Sequence, residues 1–103
     1  MTHKQLLQLL KKMKLPVAYD HFDKAVKPPF LCFWCTGESV LLADDRVYHK
    51  SHDYEIGLYT KDKNPETEEQ LETLLESAGL IYRMEEDYIS AQEVYEITYS
   101  IQI

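Results

Sequence analysis

The sequence predicts an α+β domain, two helices packed on one face of an antiparallel sheet of four to five strands, in the order α-β-(β)-β-α-β-β. Three segments carry that expectation. Residues 2–14 and 65–78 each show an apolar stripe at helical spacing behind a recognisable start signal, and residues 95–103 alternate apolar with polar as a half-buried strand does. A length of 103 residues, 45% of them hydrophobic, suits a single domain spanning 1–103 with its own core.

The elements follow in order. Thr2 with Gln5 three residues later matches a capping box, and Leu6, Leu9, Leu10 and Met13 then lie on one helical face. Pro16 stops this helix after about Lys14, and Leu15 to Phe22 reads as a connection whose Val17, Tyr19 and Phe22 lie over the core. Pro28-Pro29 hold the chain extended before Phe30 to Cys35, a strand buried on both faces or nearly so, which Gly37 is expected to break. Val40 to Leu42 reads as strand or loop, Asp44-Asp45 as a turn, and Arg46 to His49 as a short strand.

In Tyr54 to Thr60 the two-residue pleat puts Tyr54, Ile56 and Leu58 on one face. Asn64 then caps a helix, Pro65 takes its first position, and Glu66, Glu68 and Glu69 sit at the positive end of its dipole. Leu71, Leu74, Leu75 and Ala78 form its apolar stripe, and Gly79 supplies a left-handed stop. Strand character resumes from Leu80 to Met84, is interrupted or decorated by Glu85-Glu86-Asp87, and extends through Tyr88-Ile89. In the last strand Tyr95, Ile97, Tyr99, Ile101 and Ile103 alternate with Glu96, Thr98, Ser100 and Gln102.

Composition narrows the function classes. The apolar runs are far short of the roughly 20 residues of a membrane span, and the N-terminal lysines lie too far inside for a signal peptide. A cytosolic chain with no membrane partner is the expectation. Residues 1–30 carry six lysines against Asp20 and Asp23, a balance of +4, which leaves −11 on residues 31–103 given the net −7. That acidity argues against nucleic acid as a partner, because phosphate binding needs a cationic stripe.

The residues with chemical potential are few. Cys32 and Cys35 form a C-x-x-C, and His49 and His52 follow at a spacing near that of a two-cysteine, two-histidine zinc site. On a strand, however, positions three apart point to opposite faces, and Phe33-Trp34 are poor knuckle residues. Core cysteines and solvated histidines are the favoured reading, with neither metal nor cofactor expected. A small zinc or redox binding module on Cys32, Cys35, His49 and His52 is the alternative. A redox role would need the first cysteine at a helix N-terminus, where the sequence offers none. Asp44 and Asp45 with His49 and His52 form the one acid and histidine grouping in an expected loop. The helical glutamates read as a solvated face, and no serine stands in a nucleophile elbow, so no catalytic residues are expected.

Eight tyrosines remain to be explained. Tyrosine suits contact surfaces because it joins an apolar ring to a polar tip. Tyr59, Tyr88, Tyr95 and Tyr99, together with Lys11 and Lys12, are the residues expected at an interface between copies, and the split of charge along the chain would help such contacts. A second alternative is a host-directed regulatory protein that acts by binding.

The runs LPVAYDHF, PPFLCFWC, ADDRVYHKSHDYEIGLYTKDKNPETEEQLETLL and the closing EVYEITYSIQI together resemble the small tail-completion, or tail terminator, proteins of long-tailed bacteriophages of Gram-positive hosts. The resemblance rests most on Pro28-Pro29-Phe30, Ala43-Asp44 before Val47-Tyr48, Leu58 to Lys61, and Tyr95 to Ile101. It implies two helices on an antiparallel sheet, and a non-enzymatic subunit of a ring, commonly hexameric, that caps the tail tube and joins it to the head. The implied partners are further copies, the tail tube and head-connector proteins. The implied location is the virion neck, reached from the host cytoplasm during assembly. Cys32 and Cys35 depart from the ordinary apolar strand residues of that family.

Overall fold

The computed structural model describes residues 1–43 and 46–103, with side chains for residues 1–40 and 50–103. Two helices, α1 (His3–Lys11) and α2 (Pro65–Ser77), accompany five strands: β1 (Val17–Tyr19), β2 (Phe30–Ala43), β3 (Arg46–Thr60), β4 (Arg83–Ile89) and β5 (Val94–Gln102). The fold is α+β. The strands form one sheet in the order β1-β2-β3-β5-β4.

The caps work as their side chains dictate. Thr2 Oγ1 accepts from the Gln5 amide at 3.1 Å while Gln5 Oε1 accepts from the Thr2 amide at 2.8 Å, so each closes an otherwise orphaned donor. Helix α1 ends earlier than Lys14, because 12–14 continue as a turn in which Lys14 takes φ 59°. Asn64 Oδ1 accepts from the Thr67 amide at 3.2 Å to start α2. Gly79, at φ 76°, then turns the chain so that Leu80 donates back to the Leu75 carbonyl at 3.0 Å. That turn delays β4 to Arg83, leaving Leu80 to Tyr82 outside the strand expected there.

The pleat sorts the sheet into two faces. Leu31 opposite Leu58 opposite Ile97, and Phe33 opposite Ile56 opposite Tyr99, form rows across β2, β3 and β5, and all six side chains are buried. Leu6, Leu9 and Leu10 of α1 and Leu71 and Leu75 of α2 join these rows in one core, so both helices cover the same face. Leu74, expected in that core, only packs against its border.

Three expectations about the sheet are corrected. β1 pairs parallel to β2, with Val17 opposite Leu31 and Tyr19 opposite Phe33, so the sheet is mixed at this edge. Gly37 does not end β2, because a register shift between Cys35 and Gly37 absorbs the irregularity and the ladder continues. The strands expected at Arg46 to His49 and Tyr54 to Thr60 are one strand, β3. The turn expected at Asp44-Asp45 lies outside the described residues. Of the two readings of Glu85-Glu86-Asp87, decoration of the strand holds, since they pair with Thr98, Ile97 and Glu96 within β4.

β2 and β3 run on beyond the rest of the sheet. The last bonds between β3 and the C-terminal strand region join His52 and Ile103, whereas β2 and β3 remain paired through Ser39 with Ser51 and on to Ala43 with Arg46. This two-stranded arm helps give the molecule its longest extent of 50 Å.

Candidate assembly surface

On the face away from the helices, Phe30 stacks on Tyr59 with ring centroids 4.8 Å apart, and Phe22 meets Phe30 edge-on at 5.3 Å. Residues 20–29 thus lie against this face, where Phe22, Val26, Phe30, Cys32, Tyr59 and Val94 line a shallow cleft. The Tyr59 hydroxyl donates to Glu96 at 2.6 Å. Burial, and then that carboxylate, push its pKa well above the usual tyrosine range.

The interface residues expected from sequence do not form one patch. Tyr99 is fully buried and its hydroxyl donates to Glu72 of α2 at 2.7 Å, so it belongs to the core and not to a contact surface. Tyr59 is held by Phe30 and Glu96 on the outer face. Tyr88 and Tyr95 meet edge-on at 4.9 Å where β4 and β5 pair, with Tyr88 48% exposed. Lys11 and Lys12 are exposed at the end of α1, next to the opposite edge of the sheet.

Cys32 and Cys35 separate as strand geometry requires. Cys32, opposite Gly57, is buried on the outer face, and burial, with Asp20 nearby, raises its thiol pKa. Cys35, opposite Tyr54, is exposed, and its thiol lies 3.5 Å from the Gly37 carbonyl oxygen. His52 is exposed on β3 with Nε2 3.5 Å from Glu38 Oε2, and the side chain of His49 lies outside the described residues. Among the described residues, no three His, Cys, Asp or Glu side chains gather as a metal site would require.

The two edges of the sheet differ in character. At the β1 edge, His3 of α1 packs its ring on Tyr19, Phe33 and Tyr54, and Nδ1 lies 2.8 Å from the Tyr54 hydroxyl. This contact seats the lysine-rich helix beside β1. At the β4 edge the exposed side chains of Glu85, Glu86 and Asp87 follow one another. Lys63 reaches Glu86 from one side and lies 2.8 Å from the buried Glu68 carboxylate on the other, tying α2 to β4.

No protein-family model matches this chain, and no curated protein matches its sequence. Among the described residues no helix is long and apolar enough to cross a membrane.

Sequence reasoning missed Ile81, 91% exposed, and Met84, 43% exposed, which flank the acidic run of β4. The signal was available only indirectly. Ile81, in a run that reads as strand from Leu80, looks buried until the pairing shows that the strand begins at Arg83.

Proposed function

We propose that this chain is a non-enzymatic structural subunit that forms a ring at the end of a bacteriophage tail that joins the head, acting by self-association and docking. The observation that carries the reading is the β2–β3 arm. Its ladder continues through five residues of β2, Ser39–Ala43, beyond the last bond to the C-terminal region. A two-stranded hairpin of this kind is marginal by itself in water and gains stability where a partner surface lies against it. The motif order described above supports a tail-terminator role for such a docking element. The partners are then other copies, the tail tube and head-connector proteins, with the hexamer as the ring size that the resemblance implies.

Deleting the gene from its phage tests the role. Separate filled heads and tails, or tails of uncontrolled length, are the expected particles. Joined virions of normal length from the deletion would remove it.

The alternative, a zinc or redox module, has less support. Cys32 and Cys35 lie on opposite faces of β2, so their sulfurs do not converge.

A further inference from the structure

We infer that copies of this chain associate head to tail, the acidic outer edge of β4 in one copy lying along the lysine-rich α1–β1 edge of the next. The inference rests on the self-assembly reading above and names the two surfaces that it uses.

Sheet order supplies the first argument. β1 and β4 are the two outermost strands, so their open edges face away from each other across the sheet. Among the described residues β4 bonds only to β5, and its alternate residues present backbone donors and acceptors along the other side. β1 likewise bonds only to β2 among the described residues. Two different surfaces on opposite sides of a subunit are what a heterologous contact needs, and such a contact closes into a ring when the rotation permits.

Charge supplies the second. Glu85 and Asp87 are exposed on β4, with Arg83 the one cation in that strand and Glu93 close behind, while Glu86, also exposed, is paired with Lys63. At the other edge Lys11, Lys12 and Lys14 precede β1, all exposed. Asp20 and Asp23 there lie 3.0 and 3.8 Å from the His21 ring. Charge also disfavours one simple competitor. If two β4 edges paired antiparallel about a twofold axis centred on Glu86, Glu85 would stand opposite Asp87 on both sides of the axis. Like charges directly opposite one another destabilise such a ladder. A basic edge has no such conflict.

Apolar surface supplies the third, independently of charge. Among the described residues the exposed large apolar side chains are Met1, Tyr19, Val40, Ile81, Met84 and Tyr88. Ile81, Met84 and Tyr88 lie on or just before β4, and Tyr19 lies on β1. Each edge therefore offers apolar contact beside its charges, which is the composition of a docking surface with a polar rim.

Paired charge reversal tests the contact. Glu85→Lys with Asp87→Lys makes the β4 edge basic, and Lys11→Glu with Lys12→Glu makes the other edge acidic. Either pair alone is expected to weaken self-association of the full chain by roughly tenfold or more at low salt, read by sedimentation. All four reversals in one chain restore opposite signs and should recover much of the loss. Circular dichroism and thermal melting check that each variant is folded, and added salt should weaken the wild-type assembly. If wild-type assemblies survive either reversal unchanged, or the fourfold variant fails to recover while remaining folded, the inference is overturned and the self-assembly reading stands. A wild-type chain that stays monomeric at its highest soluble concentration in low salt also overturns it. The virion role would then rest on the deletion experiment alone.

Discussion

The Tyr99 hydroxyl of β5 donates to Glu72 of α2 at 2.7 Å, joining helix to sheet through a polar bond at the border of an apolar core. Tyr82 adds to this junction, its hydroxyl 2.8 Å from Glu76 and 3.4 Å from Glu72. Its ring meets that of Tyr99 edge-on at 5.5 Å. A neutral hydroxyl facing a carboxylate makes a charge-assisted bond, stronger than a neutral one. Tyr99→Phe keeps the ring and removes the donor, so it should cost about 1.5 to 3 kcal/mol by chemical denaturation. A loss near zero would mean that water or Tyr82 satisfies Glu72 equally well.

The same tyrosines make stability fall in alkali. Burial first, then the Glu72 bond, raise the Tyr99 pKa far above its ordinary value, and burial and Glu96 do the same for Tyr59. The bond to Glu76, followed by burial, pushes Tyr82 up to about 12. In the unfolded chain these hydroxyls ionise near pH ~10, so above that pH the unfolded state loses protons that the folded state keeps. Their contribution is therefore complete below about pH 10 and lost as pH rises through the folded values. The melting temperature should drop steeply over that range, and Tyr99→Phe should flatten the drop. An absorbance titration should show a fraction of tyrosines resisting ionisation until the protein unfolds.

Leu71 and Leu75 should matter more than Leu74. The first two are fully buried in the core, whereas Leu74 lies on its border. Leu71→Ala and Leu75→Ala should each cost on the order of 2 to 5 kcal/mol, as for other buried leucines, with a distinctly smaller loss for Leu74→Ala. Equal losses at all three positions would show that α2 packs with a wider face than the structure gives it.

Much of this architecture is legible in the residues. The Thr2 and Gln5 box, the Asn64-Pro65 start, the helical stripes and the alternation through β5 are local signals that agree with the fold around them. β1 was not legible, because three residues are too few for alternation to show and its parallel pairing is a tertiary fact. Gly37 misled for a related reason, since a bulge lets a strand pass a glycine that reads locally as a break. The surface residues were the least accessible. Tyr95 and Tyr99 share a face by parity, yet Tyr99 lies fully in the core while Tyr95 is only partly buried. Parity gives the side of the sheet; it does not say where the helices end.

Gly57 should resist even alanine. A Cβ there would stand 2.9 Å from Tyr59 Cε2, 3.1 Å from its hydroxyl and 3.2 Å from Trp34 Cη2. Tyr59 cannot easily swing aside, because Phe30 stacks on it and Glu96 holds its hydroxyl. Gly57→Ala should cost about 1 to 3 kcal/mol, the usual scale for overpacking. Combining it with Tyr59→Ala should lose less than the two effects added, since the ring that causes the clash is gone. Strict additivity would place the strain elsewhere.

The two thiols should behave differently. Cys35 is exposed, while Cys32 is buried on the other face of β2 with its pKa raised by burial and by nearby Asp20. Only a thiolate attacks a disulfide reagent, so burial and a raised pKa both slow Cys32. A thiol reagent should therefore modify one cysteine of the native chain rapidly and the second only in denaturant. Cys35→Ser should abolish the fast phase and leave folding within the roughly 0.5 kcal/mol typical of surface substitutions. The same geometry sets the metal prediction, since sulfurs on opposite faces cannot share one tetrahedral ion. Protein purified without chelator should hold no stoichiometric zinc. A zinc to protein ratio near one, lost together with stability in Cys35→Ser, would show that both sulfurs reach a common site and that this end of β2 is built differently.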